Sequence, residues 1–349
     1  MLPASWMELP RIVVAEKGAV CQVAAICCHL KLLGPALILT GPSTGSLVGG
    51  RISALLEDAG METATMVTRA SRLEEVDAAA EMAREMGAAF VVGAGGGRSI
   101  DIAKLSSLRL DLPFISVPTA ASHDGICSAQ ASLTVNGEST SVSAQAPLAI
   151  VADVEVISKA PPRLMAAGCG DVISNYTAIL DWKLARRLRG EEYSEYAAAL
   201  SSMTASMIVD LAPTLKPGLE ESAKVLIHAL ISSGVAMSIA GSSRPASGSE
   251  HMFAHAVNRL APGRALHGEL CGLGTIVMMY LHGGDWQRIR EALRDVGAPI
   301  TADEAGLDSE TVIEALLMAP KIRPERYTIL GTGLTREAAV SAARSTKVI

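Results

Sequence analysis

The chain has 349 residues, of which 49% are hydrophobic but only 3% aromatic, and a formal net charge of −6. That length predicts two domains and a large core of Ala, Val, Leu, Ile and Met, and so apolar a composition excludes a disordered chain. The acidic balance argues against nucleic acid as a partner, which calls for a basic patch, and no basic amphipathic helix marks a membrane surface.

The opening residues, Met1 to Arg11, lack a charged segment followed by an apolar run, so no secretory leader is expected. Short apolar runs then alternate with helical patterns. Ile12 to Ala15 and Ala36 to Thr40 read as strands, with a helix from Ala19 to Leu33 between them. A helix from Leu47 to Ala59 follows the loop Gly41 to Gly45, and Glu62 to Val67 is a weaker strand. Leu73 to Met86 carries Val76, Ala80, Ala83 and Met86 on or near one helical face. Phe90 to Lys104, FVVGAGGGRSIDIAK, reads as a buried strand, a glycine turn and a helix. Glycines permit positive φ and close backbone approach, and the first N–H groups of a helix form an anion site, so a phosphate or pyrophosphate is the natural occupant. The consecutive glycines depart from the G-x-G-x-x-G spacing, and a turn that binds nothing is the plain alternative.

The strand Pro113 to Thr119 follows, then a hairpin turned at Asn136-Gly137 and a last strand within Pro147 to Asp153. Strands alternating with helices imply βαβ units and a mostly parallel sheet, with ligands beyond the carboxyl ends of the strands. Three loops fall at those ends: Gly41 to Gly45, Gly93 to Asp101 and Thr119 to Ser128. Pro161 and Pro162 mark a boundary, after which helices are expected over Asp171–Arg189, Ser194–Ala212, Glu220–Ile239, Ser247–Leu260, Leu270–His282 and Asp285–Val296. The architecture is therefore an α/β Rossmann-like parallel-sheet domain, residues 1–160, and an all-α domain, residues 161–349, with the site expected in the cleft between them. The uncharged run from Val225 to Ser243 holds a histidine, serines and two glycines, so it reads as a core helix and not a membrane span. A soluble, cytoplasmic protein is expected. The six cysteines form no C-x-x-C pair and read as small buried hydrophobes.

His251 and His255 stand at i and i+4 behind Ser247 to Glu250, which reads as a capping box, so both rings share one face. His267 opens the next apolar helix, and Asp171 follows Gly168-Cys169-Gly170, where a helix-cap role is the ordinary reading. One Asp and two His suit a borderline divalent metal with one position left open. Cys271 lies four residues after His267, so a thiolate ligand stays open beside a packing role.

The motifs GGGRSIDIAK, PTAASHDGICS, GCGDVISNYTA, SGSEHMFAHA and LHGELCGLG, over nearly the whole chain from Leu9 to Tyr327, resemble the sn-glycerol-1-phosphate dehydrogenase family. That family sits with the iron-containing alcohol dehydrogenases, glycerol dehydrogenase and dehydroquinate synthase. The resemblance implies a dehydroquinate synthase-like fold and reduction of dihydroxyacetone phosphate to sn-glycerol 1-phosphate, the backbone of archaeal membrane lipids. It implies NAD(H) or NADP(H) and one zinc ion per subunit, held by Asp171, His251 and His267. Substrate contacts and catalytic roles fall on Asp124, Asp171 and His255. The dinucleotide falls along Gly97, Arg98, Ser99, Ile100 and Asp101, then Thr119, Ala120, Ala121 and Ser122, and Ser128. Arg98 stands where several relatives carry Lys or Ser. The resemblance does not assign the residues that hold the substrate phosphate; Arg259 and Arg264, near the histidines in sequence, are the candidates. The loop Gly41 to Thr44 has no carboxylate to repel a 2′-phosphate, so both cofactors are expected to serve. The apolar Ala- and Met-rich helices leave surface for a homo-oligomer. The alternatives are a polyol (glycerol) dehydrogenase and a dehydroquinate synthase-type lyase. The lyase needs a Lys and Arg cluster that the helices around Asp171 and His251 lack. A nucleotide-binding module without catalysis leaves the aspartate and three histidines unexplained.

Overall fold

The computed structural model describes residues 7–135 and 138–349. The first part of the chain runs β1 (Ile12–Glu16), α1 (Val23–His29), β2 (Ala36–Thr40), α2 (Gly50–Asp58), β3 (Thr63–Val67), α3 (Leu73–Glu85), β4 (Phe90–Gly95), α4 (Gly97–Arg109) and β5 (Phe114–Pro118). The antiparallel hairpin β6 (Gln130–Val135) and β7 (Glu138–Ser143) precedes β8 (Ala149–Asp153) and α5 (Val154–Ser158). The expected turn at Asn136-Gly137 lies outside the described residues.

Six strands form one sheet in the order β1-β8-β5-β4-β2-β3, and every pair is parallel. Parallel neighbours need crossovers, which is why helices separate the strands in sequence. The inner strands β2, β4, β5 and β8 are buried along their whole length, so they read as unbroken apolar runs. Edge strand β3 is only partly covered, and its sequence TATMV is correspondingly mixed. Val23, Ile26, Ile38, Ile52, Leu56, Phe90, Val92, Ile115 and Val151 belong to the core on one face of the sheet.

The expected positive φ in the glycine turn is absent: none of Gly93, Gly95, Gly96 or Gly97 adopts it. Glycine is needed there for proximity. A Cβ on Gly93 would lie 2.9 Å from the Ala103 Cβ and 3.1 Å from the Ile100 Cα, so α4 packs onto β4 only because that side chain is missing. A Cβ on Gly95 would lie 3.0 Å from both the Ser99 Oγ and the Thr44 Oγ1.

The remaining helices are α6 (Pro162–Ile173), α7 (Asn175–Arg189), α8 (Glu195–Leu211), α9 (Glu220–Ala240), α10 (Ser249–Leu260), α11 (His267–Leu281), α12 (Trp286–Asp295), α13 (Ser309–Met318) and α14 (Arg336–Ser345). The helix expected from Asp171 to Arg189 is two helices parted at Ser174. Pro162 starts the first at a position where a missing N–H is harmless. Asp171 therefore lies in the last turn of α6 and is not an N-cap. The chain forms two compact units: residues up to Ala121 with Gly125–Ala160 and Pro217–Gly234, and Ser122–Asp124 with Pro161–Lys216 and Val235–Ile349. Most of α9 thus belongs with the α/β unit although it follows Pro161. Among the described residues α9 is the one helix long and apolar enough to cross a bilayer, and it buries Leu226, Ile227, Ala229 and Leu230 completely.

Candidate functional site

Helices α6 and α11 cross at glycines. A Cβ on Gly170 would lie 2.3 Å from the Gly268 carbonyl oxygen, and one on Gly268 would lie 1.9 Å from the Ala167 carbonyl oxygen. Only hydrogen at these positions lets the backbones approach so closely. The crossing is clamped by Arg163 at the start of α6, whose Nε and Nη2 donate to the two oxygens of Glu269 at 2.6 and 2.7 Å. The second Glu269 oxygen also accepts the Leu266 N–H at 2.7 Å, which fixes the first turn of α11. Asp171 follows one glycine and His267 precedes the other, so the crossing brings their side chains together.

Helix α10 adds His251 and His255. The capping box expected at Ser247 is not formed: the N-cap is Gly248, whose N–H donates to Glu250 Oε1, and the Ser249 N–H donates to Asp181 Oδ2 at 2.7 Å. Two buried carboxylates from within this unit do the work of a cap side chain. Glu250 also accepts from Thr177 Oγ1 at 2.7 Å, and its Oε1 lies 2.9 Å from His251 Nδ1. A carboxylate on Nδ1 fixes the ring and leaves Nε2 as the free ligand atom, the arrangement common behind metal-bound histidines. Sequence reasoning missed this role of Glu250, because a glutamate three residues after a serine also signals a cap.

Asp171 is nearly fully buried, and its Oδ2 accepts the Asp124 N–H at 2.9 Å. Oδ1 faces the other way, 3.7 Å from His251 Nε2 and 3.8 Å from His267 Nε2. These gaps are too long for hydrogen bonds. They approach the spacing of ligand atoms around a tetrahedral zinc, about 3.3–3.6 Å for bonds of roughly 2.0–2.2 Å. Asp171, His251, His267 and Cys271 each offer a donor atom, all within 4.8 Å of one another. The electrostatics fit a cation as well. Burial pushes the Asp171 carboxyl up to about 7, against the Asp124 N–H and with help from the Glu250 charge. Burial also holds His251 and His255 well below the ordinary imidazole range and lowers His267, so neutral rings are ready to ligate.

Cys271, left open by the sequence, places its Sγ 3.5 Å from His267 Nε2. Burial raises its thiol well above the usual range, so it meets the group as a neutral S–H. His255 packs its ring 5.7 Å from that of His267, and its buried Nδ1 has no hydrogen-bond partner among the described residues. Arg259 and Arg264 are exposed. Arg259 reaches His255 electrostatically, whereas Arg323, which the sequence gave no reason to single out, reaches His251, His255 and His267.

In the α/β unit, Gly97 is half-buried and Arg98 exposed at the start of α4. Ser99 is buried with its Oγ 2.9 Å from the Thr68 hydroxyl, and Ile100 is fully buried, so these two offer a ligand little beyond backbone. The Asp101 carboxylate turns inward, accepting the Ser132 N–H at 3.1 Å and lying 3.8 Å from the buried Lys104 ammonium. Thr119, Ala120, Ala121 and Ser128 are buried and Ser122 is half-buried. The Thr119 N–H donates to the Gly95 carbonyl at 3.0 Å, so the loop after β5 starts beside the glycine turn.

Residues 14–161 match the family described as iron-containing alcohol dehydrogenase. Over 346 residues, 99% of this chain and 98% of its relative, the sequence is 65% identical to a glycerol-1-phosphate dehydrogenase [NAD(P)+] of Methanothrix thermoacetophila. The chain belongs to the glycerol-1-phosphate dehydrogenase family. The Methanosarcina mazei member of that family is 60% identical over 99% of this chain and 97% of its own length. Among solved structures, a glycerol dehydrogenase from Schizosaccharomyces pombe superposes with a TM-score of 0.82 at 20% identity, covering 99% of this chain and 91% of that one. A probable glycerol dehydrogenase from Sinorhizobium meliloti gives 0.80 at 20% identity over 98% of both chains. At that identity the likeness concerns the fold, which is the dehydroquinate synthase-like architecture expected for the family.

Proposed function

We propose that this chain is a cytoplasmic, homo-oligomeric enzyme that reduces dihydroxyacetone phosphate to sn-glycerol 1-phosphate with NADH or NADPH, supplying the glycerophosphate backbone of archaeal membrane lipids. Close full-length relatives carrying that name support the reading. The observation that carries it is the single Asp171 oxygen standing 3.7 and 3.8 Å from two imidazole Nε2 atoms, a spacing suited to a metal that polarises a carbonyl.

Asp171, His251 and His267 would hold one zinc ion, and Gly97 to Asp101, Thr119 to Ser122 and Ser128 would line the dinucleotide. When bound, the zinc supplies Lewis acidity toward the ketone oxygen and the reduced nicotinamide supplies the hydride. The protein's own residues do the rest. Asp171 neutralises part of the dication, and the Asp124 N–H keeps its second oxygen turned away. Glu250 holds His251 in one tautomer. Asp124 and His255 orient the substrate hydroxyl, and His255, neutral and with Nδ1 unpaired among the described residues, relays the proton that the new alcohol requires.

Mixing the protein with dihydroxyacetone phosphate and NADH, while following the absorbance of the reduced cofactor, tests the reading. Oxidation that stops on chelation and returns with zinc is the expected result. Turnover of glycerol or dihydroxyacetone with none of the phosphate ester would instead make this a polyol dehydrogenase.

A further inference from the structure

Two guanidinium groups that act electrostatically on the candidate metal ligands make no ion pair among the described residues. Arg323 and Arg326 follow a short helical turn, Ala319–Lys321, that packs against α10, the helix carrying His251 and His255. Both are half-buried. Arg326 Nη1 donates to the Ser247 carbonyl at 2.5 Å and Nη2 to Ser243 Oγ at 2.9 Å, while Arg323 Nη1 lies 3.5 Å from Ser247 Oγ. Neither forms an ion pair with a carboxylate among the described residues. Several other arginines of this unit are paired, Arg244 with Glu191, Arg163 with Glu269, and Arg336 with Glu310 and Glu314, whereas the half-buried Arg290 donates to the Ile300 carbonyl and has no ion pair among the described residues.

The acids in range are committed elsewhere. Glu250 serves Thr177, the Gly248 N–H and His251, and Asp181 accepts from the Ser249 N–H, the Ile329 N–H and His282. Glu325, which also reaches Arg323, is exposed. Because the Gly248 and Ser249 amides are already capped, an anion at this end of α10 would be held by the guanidinium groups. Burial lowers both arginines from their ordinary value, Arg326 to about 10, and the charges of Glu250, Glu325 and Glu191 only partly offset it. An arginine fork matches a phosphate geometrically, and most of the N–H donors of Arg323 remain available for it.

We infer that Arg323 and Arg326, with the Ser243 hydroxyl, form the subsite that takes the phosphate dianion of the substrate, so that this family member selects a phosphomonoester over a free polyol. The inference rests on the reaction proposed above and assigns to it the residues that recognise the charged end of the substrate.

Arg323→Gln is the deciding variant, because Arg323 makes one long contact, whereas Arg326 also anchors residues 243–247. With the zinc-loaded full-length protein, R323Q should lower the ratio of kcat/KM for dihydroxyacetone phosphate to that for dihydroxyacetone by about 10- to 100-fold, the loss expected for one charge-assisted phosphate contact. Calorimetric affinity for inorganic phosphate should fall by a similar factor, with bound zinc and the KM for NADH retained. R326K, which keeps the charge but not the fork, should lie between R323Q and wild type. An unchanged ratio in R323Q, or a raised KM for NADH in its place, would overturn the subsite while leaving the reaction standing. A wild-type protein inert toward dihydroxyacetone phosphate overturns the reaction and the subsite together.

Discussion

Asp171 is gripped at one oxygen by a backbone N–H and offers the other to two imidazoles, and this division of labour has a measurable proton signature. Its carboxyl titrates near 7 because of burial, whereas His251 and His267 are already neutral there. Loading a divalent cation must strip a proton from Asp171 below that pH and none from the rings. Zinc affinity should therefore climb about tenfold per pH unit up to pH ~7 and level off above it, as read by competition with a chromophoric chelator. A slope that persists above 7 would bring in the Cys271 thiol as a fourth ligand, since its proton is held well above the usual range. The sign for stability runs the other way. The folded pKa lies above the unfolded one, so in the metal-free protein this group's contribution falls as pH rises from the ordinary carboxylate range through 7. His267→Ala should lose both retained zinc and turnover, checked by elemental analysis beside the rate, and a zinc-free variant with full activity would refute the metal role. The aspartate and the histidines were visible in the sequence as residue types at suggestive spacing. Glu250 behind His251 and the arginines beside Ser247 were not, because a carboxylate at a helix start and arginines in a late loop have ordinary readings until burial and partners are known.

What brings those side chains together is a property of helices α6 and α11. The glycine beside each ligand removes the one atom that would hold the backbones apart, so Gly170 and Gly268 set the separation of Asp171 and His267. Gly268→Ala would drive a Cβ into the Ala167 carbonyl, and overpacking of this kind costs about 1–3 kcal/mol or more. Thermal unfolding should show that loss, and zinc affinity should fall with it as the donors part. Gly96→Ala is the control: its Cβ would meet nothing within 4 Å and its φ of −78° suits any residue, so the fold should be unaffected. Periodicity located most strands and helices to within a residue or two, because buried parallel strands and amphipathic helices announce themselves. It could not see why glycines recur at GCGD and LHGE. Their cause is a helix crossing far apart in sequence, and local patterns gave a cap instead. The same limit explains the single helix expected from Asp171 to Arg189, since Ser174 interrupts it without a proline or glycine to mark the break.

At the scale of the whole molecule, the proposed reaction puts cofactor choice on the α/β sheet and the metal on the helices bearing the histidines. The strand β2 ends at Thr40, and the loop after it runs Gly41-Pro42-Ser43-Thr44. There Thr44 Oγ1 accepts the Gly41 N–H at 2.8 Å and shares a hydrogen bond with the Thr40 hydroxyl at 2.9 Å. The loop is thus shaped by its own hydroxyl and carries no acid. In dinucleotide folds a carboxylate after the second strand bonds the ribose diol and repels a 2′-phosphate. Without that charge the phosphate ester meets no electrostatic penalty, and NADH gains no dedicated partner. Both cofactors should therefore support reduction, with kcat/KM values at equal ionic strength differing by less than about tenfold, the equivalent of ~1.4 kcal/mol. Placing an acid in the loop, Ser43→Asp, should leave NADH turnover in place and depress NADPH turnover by like-charge repulsion. Strict use of NADH by the unaltered protein would show that discrimination resides elsewhere on the sheet's carboxyl edge.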